Sequence, residues 1–174
     1  MSLLPQIVDA VGDKVPVIAA GGISDSRALF ASFVLGADAA ALGTLFMLTT
    51  DTVIPEYHKE ALLNSVPEAT QLTRAFTGRY ARGISNRFME TVHQQCARED
   101  DIPDYDIQSA RTLDILTKAK AEGKASELCN MWAGQSFAVA KAFTENGTLT
   151  AAQAMEKLLS GVEELKKKFS QQGQ

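Results

Sequence analysis

Gly21-Gly22 and Gly43-Thr44 are the residues whose types and placement suggest chemistry. The first pair directly follows the apolar run VPVIAA at 15–20, and the second follows ADAAAL at 37–42. Glycine lets backbone N–H groups approach an anion with no Cβ in the way. Ser24 or Asp25 can cap a helix after the first pair, and the positive end of that helix would add donors for an anion. Thr44 adds a hydroxyl. A phosphate group suits such a setting. The same glycines would also serve as plain tight turns between strand and helix, and spacing alone does not separate the two readings.

The elements around them place both pairs at one edge of a sheet. Each apolar run is continuous rather than alternating, which predicts parallel strands buried on both faces. Pro16 is tolerated at a strand's first residues. Between the runs, Leu29, Phe30, Phe33 and Val34 recur at helical spacing and predict a core-facing stripe, with Gly36 suited to the C′ position. Strand, helix and strand within about 30 residues form a βαβ unit of right-handed crossover. Both glycine pairs would then lie at the C-terminal edge of the same parallel sheet. Upstream, residues 5–13 predict a short helix ended by Gly12. Downstream, Pro55 opens a helix through about Leu63, and Leu72, Arg74 and Phe76 alternate as a short strand ended by Gly78. Asn86 caps a helix through Val92, and residues 99–106 form an acidic loop containing Pro103. Further helices are predicted over 107–122, 125–144 and 151–168. The last has Thr150 and Gln153 as a capping box, an apolar stripe of Met155, Leu158, Leu159, Val162 and Leu165, and Lys166, Lys167 and Lys168 at its negative end. The tail after Phe169 is expected to fray. The sequence shows no internal repeat and no low-complexity linker.

Composition narrows the class. Of 174 residues, 45% are hydrophobic and 22% charged, the balance of a soluble globular protein. A formal net charge of −4 argues against a nucleic-acid binder. No apolar run approaches the roughly 20 residues that span a bilayer. Residues 1–10 hold no Lys or Arg, which argues against a secretory signal. Cys96 and Cys129 stand apart and fit a reducing, cytoplasmic setting, with one disulfide left open.

Three blocks carry a resemblance: VPVIAAGGISDSRALFASFVLGADAAALGT at 15–44, TRAFTGRYARGISNRF at 73–88, and MWAGQ at 131–135. Together they resemble the C-terminal half of the nitronate monooxygenases, formerly called 2-nitropropane dioxygenases. The resemblance implies an α/β fold, the last two strands of a (β/α)8 TIM barrel followed by a mostly helical region. It divides the chain at 1–50 (the last βαβ part of the barrel), 51–106 (a linker helix and part of a small second domain) and 107–174 (a helical region). It implies an FMN-dependent enzyme that oxidises alkyl nitronates with dioxygen, with the flavin phosphate held by Gly21, Gly22, Ile23, Leu42, Gly43 and Thr44. The family's catalytic histidine base lies on earlier strands that have no counterpart here, so no catalytic residue is transferred, and the chain by itself is expected to be inactive. A related flavin-dependent enoyl reductase of fatty-acid synthesis shares the same phosphate loops and is the alternative. A third reading is a non-catalytic, truncated fragment that binds a partner chain. An eight-stranded barrel takes about 250 residues, so an open strand edge is expected, filled by a complementing chain or a second copy.

The other candidates have structural readings beside the functional ones. His58 in a helix and His93 at a helix end are expected to be core or solvated histidines. Arg74, Arg79, Arg82 and Arg87 form a basic run that could attract an anion, with salt bridges as the favoured reading; Arg82 and Asn86 carry only a slight suggestion of a role at a barrel mouth. Glu99, Asp100, Asp101, Asp104 and Asp106 lack the spacing of a calcium loop, and no metal is expected. Trp132, at helical spacing with Leu128 and Val139, is expected in the core. Gln135 has no role legible from spacing. Neither a dinucleotide fingerprint, a P-loop nor a nucleophile elbow occurs.

Overall fold

A computed structural model describes residues 2–12, 14–96, 98 and 101–172. The tail residues 173–174 and the expected acidic positions Glu99 and Asp100 lie outside them. The described chain forms two compact units, one from Met1–Val53 with Ser136–Gln174 and one from Ile54–Gln135.

The first unit begins with α1 (Leu3–Val11), followed by β1 (Ile18–Ala20), α2 (Ser26–Val34), β2 (Ala39–Ala41) and the short α3 (Gly43–Met47). The two strands pair in parallel, with Ile18 opposite Ala39 and Ala20 opposite Ala41. Both strands are shorter than the apolar runs that predicted them. Pro16 has no N–H to give, and the start of the sheet is held by a side chain instead: the Asp38 carboxylate accepts from Val17 N–H at 2.7 Å. The expectation of burial on both faces is also corrected. Side chains alternate between faces along a strand; Val17 and Ala19 point inward at 7% and 9% exposure, while Ile18 between them is 62% exposed. A pair of strands with cover on one face buries only that face.

Asp25 caps α2 by accepting from Ala28 N–H at 2.9 Å. The helix ends in a Schellman turn, with Gly36 N–H bonded to Phe33 O and Ala37 N–H to Ser32 O. Gly36 has φ +97°, and a Cβ there would sit 2.8 Å from Val8 Cγ1 of α1. The predicted α2 stripe is half right. Leu29 is buried, but Val34 is exposed and the inward face is completed by Ser26 and Ser32. At Ser26 the neighbour is α9 (Ala151–Gln172), which comes close there. Ser26 Oγ donates to Lys157 O at 3.3 Å. A Cβ on Gly161 would fall 2.7 Å from Ser26 Cβ. On α9, Ala154, Leu158 and Val162 are buried, whereas Met155 and Leu159 of the expected stripe are exposed. The capping box forms as expected: Thr150 N–H reaches Gln153 Oε1 at 2.9 Å and Gln153 N–H reaches Thr150 Oγ1 at 3.2 Å. The helix continues past Lys166, Lys167 and Lys168, so these do not form its last turn.

The second unit contains α4 (Glu56–Asn64), an antiparallel hairpin of β3 (Thr70–Thr73) and β4 (Ala81–Ile84), α5 (Arg87–Gln95), α6 (Ile107–Ala121) and α7 (Ala125–Leu128). The expected strand through Phe76 stops at Thr73, and its partner β4 went unpredicted. Beyond β3, Phe76 turns into the core, stacked on Phe88 at 4.9 Å and edge-on to Trp132 at 5.5 Å. The single helix expected over 125–144 is broken. It becomes α7, an extended stretch, and in the first unit α8 (Phe137–Phe143). The extended stretch pairs with β4: Ile84 N–H donates to Met131 O at 2.8 Å and Ala133 N–H to Arg82 O at 3.1 Å. Gly83 permits this, since a Cβ there would stand 2.8 Å from Met131 O. Pairing with a distant strand overrides local helix preference.

The α2–α9 contact generates a test. In an open helix interior, Gly→Ala gains about 1 kcal/mol. Here the added methyl meets Ser26, and overpacking costs about 1–3 kcal/mol. Gly161→Ala is therefore expected to destabilise the fold by about 1 kcal/mol, read as a lower urea midpoint. A higher midpoint would show that α9 has room to shift.

Candidate functional site

Parallel pairing sends the chain out of β1 and β2 in the same direction. The register Ala20 opposite Ala41 brings Gly21 and Leu42 out at the same end of the sheet. Gly21 and Gly22 have φ +88° and +74°, a region closed to most side chains, and a Cβ at either would meet no atom within 4 Å. Ile23 is buried and anchors the loop from below. Leu42 is extended and occupies the N-cap of α3 without a capping side chain. Gly43 and Thr44 are the first two residues of that helix rather than a loop. A Cβ at Gly43 would also enter open space. The six residues expected to act together thus divide. Gly21, Gly22 and Gly43 offer backbone beside free space, Thr44 is half-buried, and Ile23 and Leu42 set the path of the chain.

Asp25 places a carboxylate at the start of α2, where it could oppose an anion. Its charge is answered locally: Arg27 Nε donates to Asp25 Oδ2 at 2.7 Å. The positive end of α2 is therefore left with a neutralised cap. Gly21, Gly22 and Ile23 also line one end of an open cavity of about 370 Å³ running along β1 to Leu4 and Ile7 of α1.

The remaining candidates resolve into structural roles. Arg74 pairs with Asp104 at 3.0 Å and donates to Gly78 O, and Arg87 pairs with Glu127 at 3.3 Å. Arg82 donates to Thr70 O at 3.0 Å, while Arg79 lies over the Tyr105 ring. Asn86 caps α5 through Met89 N–H and donates to Cys129 O at 2.7 Å, so both ends of its amide are engaged. Asp101 accepts from Arg98 N–H, and no metal-holding group occurs among the described residues. Cys96 and Cys129 are both free thiols. Gln135 is exposed. His93 Nε2 lies 3.0 Å from Thr73 Oγ1. Sequence reasoning missed Ser136, whose hydroxyl lies 2.7 Å from that of Ser24 beside the first glycine loop; no local signal marks a pairing across that distance in sequence.

Among the described residues, no helix is long and apolar enough to cross a membrane. The molecule is an α/β protein in which a glycine turn and a glycine-led helix leave the same end of a parallel strand pair. It belongs to the nitronate monooxygenase family, whose model matches residues 1–159. A probable nitronate monooxygenase of Staphylococcus aureus (strain Newman) is 48% identical over 136 residues, covering 78% of this chain and 37% of that protein. The chain therefore spans little more than a third of that relative's length. Nitroalkane oxidase from Streptomyces ansochromogenes matches 97% of this chain with 44% of its own, at TM-score 0.80 and 34% identity. FabK from Thermotoga maritima matches 97% of this chain with 50% of its own, at TM-score 0.74 and 27% identity. The enoyl reductase domain of MlnA from Bacillus amyloliquefaciens shares the fold at TM-score 0.69 and 15% identity.

His58 is buried, and its Nε2–H donates to Trp132 O at 3.0 Å. Burial holds its imidazole below the ordinary 6.5, with the carbonyl bond pulling less strongly the other way. A lowered folded pKa means that the unfolded chain takes up the proton first as pH falls. Stability is expected to fall as pH drops below 6.5 and to level off once the folded-state histidine is itself protonated. Urea midpoints between about pH 8 and about pH 5 read this, and His58→Gln should flatten that part of the profile. An equally steep profile in the variant would assign the slope to other groups.

Proposed function

We propose that this chain supplies the flavin-phosphate end of an FMN-dependent oxidoreductase that oxidises alkyl nitronates with dioxygen. The observation that carries the reading is the shared exit of the Gly21-Gly22 turn and of the α3 start at Gly43, with open space wherever a Cβ would stand at Gly21, Gly22 or Gly43. The residues fit a phosphate. Backbone N–H groups of the Gly21-Gly22 turn and of the first turn of α2 would face it, and the uncapped start of α3 at Leu42 and Gly43 would meet it from the other strand. Arg27 pairs with the Asp25 carboxylate at the start of α2. The β1 and β2 termini set the separation of the two glycine segments before the ligand arrives. Bound FMN would supply the electron transfer from nitronate to dioxygen, and the protein's share is orientation and electrostatics. The eight-stranded barrel around it, and further strands along β1, belong to the same proposal. The cytoplasm is its proposed location.

Family membership and the relatives' names support the nitronate reading over the alternative, an enoyl reductase with the same phosphate loops. The FabK and MlnA likenesses keep that alternative in view. Consumption of a nicotinamide cofactor with an enoyl thioester, without nitronate turnover, would favour it.

Gly43 gives a selective test. It is not among the glycines with positive φ, and a Cβ added there would meet nothing within 4 Å beyond its chain neighbours. Gly43→Val is expected to leave the fold intact and abolish flavin retention in the complete enzyme, by filling the space of the phosphate. Unchanged flavin-to-protein stoichiometry would refute the assignment.

A second outcome concerns the base. The catalytic histidine that the family resemblance implies has no match here, since neither His58 nor His93 fits its motif. Purified chain with added FMN and an alkyl nitronate is expected to show no turnover. Turnover that disappears in His58→Ala or His93→Ala would instead give one of them the catalytic role.

A further inference from the structure

We propose that Ser136 is a positioning residue for the Gly21-Gly22 turn, acting through Ser24; the proposal rests on the phosphate reading of that turn. Three observations carry it. First, the Ser24 and Ser136 hydroxyls lie 2.7 Å apart although the residues are 112 positions apart in sequence. Second, Ser24 is 2% exposed, and the following Asp25 and Ser26 are buried as well, so the segment after the glycines is seated rather than loose. Third, Ser136 stands at the N-cap of α8, where a serine ordinarily accepts from its own helix. It makes no such bond. Its hydroxyl is turned to Ser24 instead, so α8 forgoes a cap in favour of the turn.

The geometry explains what this achieves. Gly21 and Gly22 have no side chains to fix their peptide planes, and their φ values of +88° and +74° lie where glycine is free to move. The planes must be held from the far side of the turn. Ser26 is held from α9 through Lys157 O, and Asp25 by its bond to Ala28 N–H. Of these hydrogen bonds, the Ser24–Ser136 pair lies nearest the glycines, next to the buried Ile23. Donor direction, and so affinity for a phosphate, then depends on a residue remote in sequence from either strand. Nothing is asked of Ser136 toward the ligand itself.

The test compares the chain with its Ser136→Ala, Ser24→Ala and Ser136→Thr variants and the double alanine variant. Amide hydrogen exchange without ligand is the first readout. Amides of residues 22–26 should exchange roughly tenfold faster in either alanine variant, no faster in the double variant, and at the original rate in Ser136→Thr. Titration with FMN and riboflavin, followed by flavin fluorescence, is the second. FMN should bind about fivefold more weakly to Ser136→Ala, and riboflavin, which lacks the phosphate, should be unaffected. Unchanged exchange at 22–26 overturns the proposal. So does faster exchange with unchanged FMN affinity, when Gly43→Val weakens FMN in the same assay. If Gly43→Val has no effect on FMN, the phosphate reading itself fails, and this proposal falls with it.

Discussion

The parallel register of Ile18–Ala20 with Ala39–Ala41 is the constraint on which the rest of the first unit depends. An antiparallel pair would send its two exits to opposite ends. A parallel pair sends both the same way and requires a crossover between them, which α2 supplies. Three residues per strand make a weak ladder, and the unit compensates at the sheet's beginning. Asp38 both accepts from Val17 N–H and donates its own N–H to Val17 O. That exchange fixes the register before the first regular strand pair is reached. Shifted by one residue, β1 would turn Val17 and Ala19 outward and Ile18 inward.

The local part of this architecture was legible in the sequence. Asp25, Asn86 and Thr150 cap the helices they were expected to cap, and Gly36 ends α2 in a left-handed conformation. These are short-range signals: each cap is a side chain reaching backbone three residues on, and Gly36 marks a position that needs positive φ. The strand–helix–strand order was readable for a similar reason, since its periodicities are confined to one segment. The α/β class and the family followed from those elements and from three motif blocks.

The rest was hidden because distant partners decide it. Residues 131–133 have helical neighbours on both sides but run extended, because β4 offers them a ladder across Gly83. Trp132 was rightly assigned to the core on a mistaken geometry: it reaches Phe76 from a strand-like segment. Phe33, Val34, Met155 and Leu159 read as core by spacing and are exposed, while the close approach of α2 to α9 falls at Ser26 and Gly161. Apolar periodicity finds a face but not the partner's shape. At the candidate site, the glycines announced themselves, while Ser136 did not, because it fell inside the single helix expected over 125–144 and its partner Ser24 lies 112 positions away.

The first unit is assembled from two stretches of chain with the whole second unit between them. Its contacts between α2 and α9 join residues 131 positions apart, as in Ser26 with Lys157. Closing so long a loop of disordered chain carries an entropic cost that grows with the logarithm of its length. Prior folding of residues 54–135 removes most of that disorder and shortens the flexible span to be closed. The hairpin and its flanking helices can form from contacts nearer in sequence, so topology favours the inserted unit as the earlier one to fold. Until α9 returns, α2 lacks the neighbour that Ser26 meets at Lys157 and Gly161. The order of assembly, rather than the strength of any one contact, then decides how long that face stays exposed to misassociation.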